Sequence, residues 1–253
     1  MRILVAVADD VFDTGLSSLL DTFETANELA GETRFAVSVV SSRRSVKTHH
    51  GFAVPTTPPP SRAPDLVIVP AIACKQPATI VAALDRPDIR ALADLVASYA
   101  RRCRVAAACT GTFVLGRSGV LDGRRATTSW WLGPTFRQQV PEVELEEAEM
   151  IVAEDNVITA GAALAHLDLA LELIRERSPD LASLVARYLL LENRPSQAPF
   201  VAPSHVALDD ELVKRFERWI RRHLSEPFEL ARAARAVGAS ERTLQRRIRA
   251  VLE

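Results

Sequence analysis

Along the first two-thirds of the chain, short unbroken apolar runs alternate with longer stretches in which apolar residues return every three or four positions. "ILVAV" (Ile3–Val7) is continuous and apolar, as a strand covered on both faces must be. Leu16, Leu19, Leu20, Phe23 and Ala26 then recur at helical spacing. "FAVSVVS" from Phe35 and "DLVIVP" (Asp65–Pro70) read as further strands, the second stopped by its proline. "ATIVAAL" and "IRALADLVASYARR" predict helices, "RVAAAC" a strand, and "TGTFVLGRSG" the next helix. "NVITAGAALAHLDLALELIRER" passes from a strand through Gly161 into an amphipathic helix with Leu164, Leu167, Leu171 and Ile174 on its apolar face. Strand–helix–strand repetition with buried strands predicts an α/β fold built on a doubly wound parallel sheet.

The pattern changes after the helical segment "DLASLVARYLLL". "ENRPSQAPFVAPSH" carries three prolines and reads as a linker over residues 192–206, between a first domain (1–191) and an all-α segment (207–253). In that segment "LDDELVKRFERWIRRHL" sets Leu212, Phe216, Trp219 and Ile220 on one face, with acids early and bases late. Next, Ala234 precedes Gly238 by four residues, and Ser240 can cap a new helix with Leu244, Ile248 and Val251 inward. Two short helices joined at a glycine, with a small residue where they meet, fit a helix-turn-helix.

Composition leaves room for one or two domains: 253 residues, 48% hydrophobic, with formal net charge −1. The charge is unevenly placed. From Asp209 onward eleven Lys/Arg face eight Asp/Glu, an excess of +3 that leaves −4 for the rest, so a polyanion partner suits the tail alone. Arg242, Gln245, Arg246 and Arg249 fall at i, i+3, i+4 and i+7 of the last helix, and Arg and Gln can contact guanine and adenine edges bidentately. Lys214, Arg215 and Arg247 could add phosphate contacts. The alternative is a solvated basic face.

Cys74, Cys103 and Cys109 lack metal-ligand spacing and read as reduced thiols. The apolar start "MRILVAVADD" is too short for a signal peptide or membrane span, so a cytoplasmic protein with no membrane partner, metal or cofactor is expected. Cys109 closes a strand where a helix begins. Ala107 and Ala108 before it and Gly111 after it suit a crowded strand-to-helix elbow, and the helix start favours thiolate. Nucleophile and small buried space-filler both remain open, as does a thiol sensitive to oxidation. His166 lies among apolar helix residues, where a satisfied core histidine is the commoner case.

The tail, above all "ASERTLQRRIRAVL", resembles the start of an AraC-type DNA-binding domain. That domain carries two helix-turn-helix units in tandem, and the given sequence reaches Glu253 just after the first, so the resemblance covers about half of it. The stretch from Met1 to about Arg177 resembles the ThiJ/PfpI superfamily, a flavodoxin-like fold related to class I glutamine amidotransferases. The matches are "AACTGTFVLGRSGVLDGRRATTSWW" and "VITAGAALAHLDLAL", with "QAPFV" beyond. The order of the two domains is similar to that of AraC-family regulators with a ThiJ/PfpI sensor domain.

The resemblance implies a DNA-binding regulator, a homodimer, with a small-molecule effector held near Cys109, Thr110, Ala71, Ile72 and Gly15 and DNA met by Ser240, Arg242, Gln245, Arg246 and Arg249. It also implies that the usual catalytic partners are missing. Gly15 stands where catalytic members place an acid, Ser129 where many carry a histidine, and Ala71-Ile72 where a glycine begins the oxyanion-type loop. Turnover is therefore not expected. The alternative is a cysteine-dependent hydrolase or hydratase of the same superfamily, and a third reading is a ligand-binding or dimer-forming protein whose tail no longer binds DNA.

Overall fold

The computed structural model describes residues 1–192, 194–200, 210–223 and 228–252, without the side chains of 221 and 250–252. The chain divides into two compact units, Met1–Ala198 and Pro199–Glu253, and the division falls inside the stretch 192–206. The part of that stretch from 201 on, and the inward position assigned to Val251, lie outside what is described.

The first unit runs β1 (Arg2–Ala6), α1 (Asp13–Ala30), β2 (Ala36–Val40), the hairpin strands β3 (Ser45–Lys47) and β4 (Ala53–Pro55), and β5 (Leu66–Val69). It continues with α2 (Pro77–Leu84), α3 (Pro87–Ala100), β6 (Arg104–Ala108), α4 (Gly111–Arg117), β7 (Arg125–Ala126), α5 (Gly133–Gln139) and β8 (Glu144–Leu145). β9 (Ile151–Glu154), β10 (Val157–Ala160), α6 (Ala165–Arg175) and α7 (Pro179–Tyr188) complete it. Among the described residues the main sheet has six strands in the order β2-β1-β5-β6-β10-β9. Without the added β9, the β3–β4 hairpin and the small parallel pair β7–β8, this is the flavodoxin-like order. The α/β class is as expected, with one correction: β9 pairs antiparallel with β10, Val157 opposite Glu154, and edges an otherwise parallel sheet.

Successive side chains of a strand point to opposite faces, so unbroken apolar runs feed two cores. Ile3, Val5, Leu66, Ile68, Ala106, Ala108, Ile158 and Ala160 pack under α1, α6 and α7. Leu4, Ala6, Val67, Val69, Val105, Ala107 and Val157 pack under α3, α4 and α5, where the Phe113 and Phe136 rings meet edge to face at 4.8 Å. β6 is central, and its C-terminal end delivers Cys109 to the carboxyl edge of the sheet, where open α/β folds place their ligand sites.

The second unit holds α8 (Glu211–Arg222), α9 (Leu230–Ala236) and α10 (Glu241–Leu252). Its core is Ala233, Ala234, Val237 and Leu244, with Leu212, Phe216, Trp219 and Ile248 packed around it. Gly238 at φ +72° makes the left-handed turn that a side chain would disfavour. Ser240 Oγ then accepts the Thr243 N–H at 3.1 Å and caps α10. Ser240→Ala is expected to remove about 1 kcal/mol of α10 stability. Hydrogen exchange in the full chain should show faster exchange in the first turn of α10 and an unchanged first unit.

Candidate functional site

Cys109 sits at φ +56°, in the left-handed region, one residue past the end of β6. Such a conformation costs a non-glycine residue about 1–2 kcal/mol and persists only where neighbours over-determine it. Here they do: the Cys109 N–H donates to Ala160 O at 2.8 Å, and Thr128 Oγ1 donates to Cys109 O at 2.8 Å. Gly111 is needed for the same geometry, because a Cβ there would lie 2.4 Å from the Val69 carbonyl oxygen. The elbow expected from the small residues around Cys109 is present.

Its electrostatics are those of a quiet thiol. Cys109 is buried, and burial pushes its pKa up; hydrogen bonds from Ser129 and Thr110 offset this only in part. Ser129 Oγ donates to Sγ at 2.8 Å. The helix start expected to favour thiolate belongs to seven-residue α4, and desolvation outweighs it. The groups that act on the thiol, Ser129 and Thr110, are uncharged.

The vacancy at Gly15 is filled by His166. A Cβ on Gly15 would lie 2.7 Å from the imidazole Cε1 and Nε2 and 2.9 Å from the Phe12 ring. His166 Nδ1–H donates to Ala163 O at 2.9 Å, and Nε2 accepts the Ala71 N–H at 3.0 Å. Both nitrogens are used, the tautomer is defined, and burial lowers the pKa to about 4, so the ring is neutral at pH 7. The Ala71 N–H, an oxyanion-type donor in the family pattern, is thereby spent on His166. Thr110 Oγ1 donates to Ile72 O at 2.6 Å. Cys109, Thr110, Ala71, Ile72 and Gly15 are all buried, in two connected groups: Cys109 and Thr110 with Ile72, and Gly15 with His166 and Ala71.

Asp13, two residues from Gly15, faces His50 instead, with Oδ2 2.9 Å from Nδ1. Trp130 and Trp131 are half-buried and meet edge to face at 5.6 Å, and Trp131 packs on the second core. His166 is the satisfied core histidine that its apolar helix neighbours suggest, but its contacts with Gly15 and Ala71 are not legible in the sequence, nor is the role of Gln197, whose buried amide reaches Thr127 and Thr128. A glycine on a helix whose same face is otherwise Leu16, Leu19 and Phe23 was the available hint to the first.

On α10, Arg242, Gln245, Arg246 and Arg249 are all exposed. Ser240 is also exposed, but its hydroxyl is engaged in the cap. Arg247, expected to reach phosphate, lies 3.4 Å from Asp210, the residue that caps α8, and ties the two helices together. Lys214 lies near Glu211, while Arg215 is exposed. Among the described residues no group of His, Cys, Asp and Glu could hold a metal ion, and no helix is long and apolar enough to cross a membrane.

Residues 83–176 match the model of the DJ-1/PfpI family. The chain is 36% identical over 128 residues to isonitrile hydratase of Pseudomonas putida, a match covering 48% of this chain and 54% of that protein. It is 30% identical over 149 residues to the HTH-type transcriptional regulator CdhR of Pseudomonas aeruginosa, covering 57% of this chain and 44% of the regulator. The matches thus span about half the length of these relatives. The crystal structure of an AraC family transcriptional regulator from Pseudomonas putida superposes with a TM-score of 0.62 at 20% identity, covering 74% of this chain and 98% of that one. Its likeness concerns the fold. The α/β unit, the Cys109 elbow and the family match all fall on residues of one unit: the first unit carries a DJ-1/PfpI domain, and the proteins this chain is similar to include HTH-type transcriptional regulators.

Proposed function

We propose that the chain is a DNA-binding transcriptional regulator whose DJ-1/PfpI unit senses a small molecule near Cys109 without turning it over. The observation that carries this reading is the exposed row of Arg242, Gln245, Arg246 and Arg249 on a capped helix behind a glycine turn, joined to a DJ-1/PfpI unit. An effector with different affinity for two arrangements of a homodimer would shift DNA binding. A dimer would set two copies of this row on successive half-sites, as two-fold helix-turn-helix proteins do.

The test is fluorescence anisotropy of the full chain with DNA from upstream of its own gene and with scrambled DNA, at two salt concentrations. Phosphate contacts alone give salt-dependent but sequence-blind binding. Selective binding that weakens by about 1–3 kcal/mol in Arg246→Ala, with less loss of sequence-blind binding, is the expected result. Equal affinity for both DNAs would overturn the reading.

A cysteine-dependent hydratase or hydrolase is the second reading, favoured by the strained elbow and by the relative named isonitrile hydratase. The raised thiol pKa, the absence of an acid at position 15 and the engaged Ala71 N–H weigh against it. Turnover of an isonitrile by the full chain, abolished in Cys109→Ser, would reverse the order.

A further inference from the structure

Gln197 is 1% exposed, although it lies in a stretch whose prolines read as a linker. Its Nε2 is within reach of Thr128 O (2.9 Å), Glu149 O (3.0 Å), Thr127 Oγ1 (3.2 Å) and Glu147 O (3.3 Å), and Oε1 accepts the Trp130 N–H at 3.4 Å. The backbone follows. Gln197 N–H donates to Ala148 O at 2.7 Å, Met150 N–H donates to Pro195 O at 3.1 Å, and Ser196 Oγ donates to Ala148 O at 2.6 Å. Gly161 is the matching floor, since a Cβ there would lie 1.9 Å from Nε2. A residue built into the domain this fully is doing something other than spanning a gap.

The amide holds the two residues that flank Ser129. Thr128 gives its carbonyl to Gln197 and its hydroxyl to Cys109 O, and Trp130 gives its N–H to Gln197. Ser129 between them touches Sγ. Two residues after Gln197, at Pro199, the second unit begins. A shift of Ser129 therefore pulls on two of the bonds that hold the exit of the first unit, those from Gln197 to Thr128 and Trp130.

We infer that Gln197 is a positioning residue that couples the Cys109–Ser129 site to the chain segment leading into the helical unit: an occupant that displaces Ser129 from Sγ loosens the Gln197 amide, and residues 195–198 with it. The inference deepens the regulator reading and rests on it for its consequence at DNA, though the coupling within the first unit has its own readout.

The test uses the full chain carrying Cys74→Ser and Cys103→Ser, so that iodoacetamide reports Cys109 alone. The probe forms an Sγ–CH2 bond with loss of iodide and the thiol proton, and places an amide against Ser129. Hydrogen exchange before and after alkylation should show the amides of Trp130 and of 197–198 losing protection together. Loosening at Trp130 with 197–198 unchanged would overturn the coupling. In Gln197→Ala the alkylation rate should rise by about tenfold or more, as expected when a multiply bonded buried amide is lost. Arg194→Ala, which removes the nearby 2.5 Å ion pair with Asp168 but no bond to Thr127, Thr128 or Trp130, should change it little. Equal acceleration in both variants would mean general loosening and would count against Gln197. Should Gln197→Ala not fold, the exchange comparison on the unsubstituted Gln197 chain decides alone. On selective DNA, alkylation should change affinity with Gln197 present and lose most of that effect in Gln197→Ala. A chain with no selective DNA binding refutes the regulator reading, while the exchange result still decides the coupling.

Discussion

Gly111→Ala should destabilise the first unit by about 3 kcal/mol, at the upper end of what overpacking usually costs. The methyl group would lie 2.4 Å from Val69 O, 2.8 Å from Pro70 O and 3.1 Å from the Pro70 carbonyl carbon. These are backbone atoms of the strand end beside β6, so no side chain can rotate away. Either α4 lifts off β5 or Cys109 leaves its left-handed conformation, and the second route breaks the bonds to Ala160 and Thr128. Urea unfolding followed by fluorescence should show a lower midpoint with an unchanged slope. Gly123→Ala is the contrast, because that glycine sits at φ +70°, a conformation Gly111 does not share, and has nothing within 4 Å of its would-be Cβ, so it should lose only the conformational cost of a left-handed alanine, about 1 kcal/mol. Equal losses in the two variants would show that the close approach of α4 to β5 carries no weight.

Lowering the pH from 6.5 toward 4 should remove about 3 kcal/mol of stability through His166 alone. The sign follows from its depressed pKa. Below about 6.5 the unfolded chain binds a proton at this histidine, while the folded chain excludes it until pH falls to about 4. The unfolded state thus gains as pH falls, and the loss is complete near the folded pKa. The contacts the structure gives the ring come from Phe12, Gly15, Ala71 and Ala163, none of them charged, so burial is the governing cause. Asp168 on the same helix acts oppositely, because burial raises its pKa against the pull of Arg194. Subtracting the pH profile of His166→Gln, which keeps polar atoms there but does not titrate, isolates the imidazole. A variant that loses stability across this window as steeply as the parent would show that His166 is not the group responsible.

Neutral His166 also bears on chemistry. An imidazole at Gly15's side invites comparison with a catalytic base, yet its Nε2 accepts the Ala71 N–H, and a proton taken up there would have to displace that donor. In a buried, uncharged pocket that exchange is unfavourable. The arrangement keeps the strand-to-helix elbow at Cys109 and leaves the His166 Nε2 lone pair occupied by the Ala71 N–H.

Much was legible because it is periodic or local. The apolar runs at Ile3, Leu66 and Val105 mark strands covered on both faces, and the small residues at 107, 108 and 111 mark a tight turn at Cys109. Gly238 and Ser240 mark a turn and a cap a few bonds away, where backbone sterics and one hydroxyl suffice. β9 was missed because four residues beside β10, partly buried and without strong alternation, carry little signal. Pro195 and Pro199 suggest a linker, yet the first half of the stretch is held by bonds from Ser196 and Gln197 to Ala148 O and from the Met150 N–H to Pro195 O.

The chain by itself thus determined the doubly wound sheet, the elbow at Cys109 and the arginine row on the last helix, since each depends on residue type and spacing over a few turns, whereas the acid missing at Gly15 is what the family resemblance implies. Only the tertiary structure decided what those features are joined to. His166 meets Gly15 and Ala71 across 151 and 95 residues of chain, and Gln197 meets Thr127 and Thr128 across 70 and 69. Pairings at that distance are selected by packing and by the need of buried polar atoms for partners, and neither leaves a period to read.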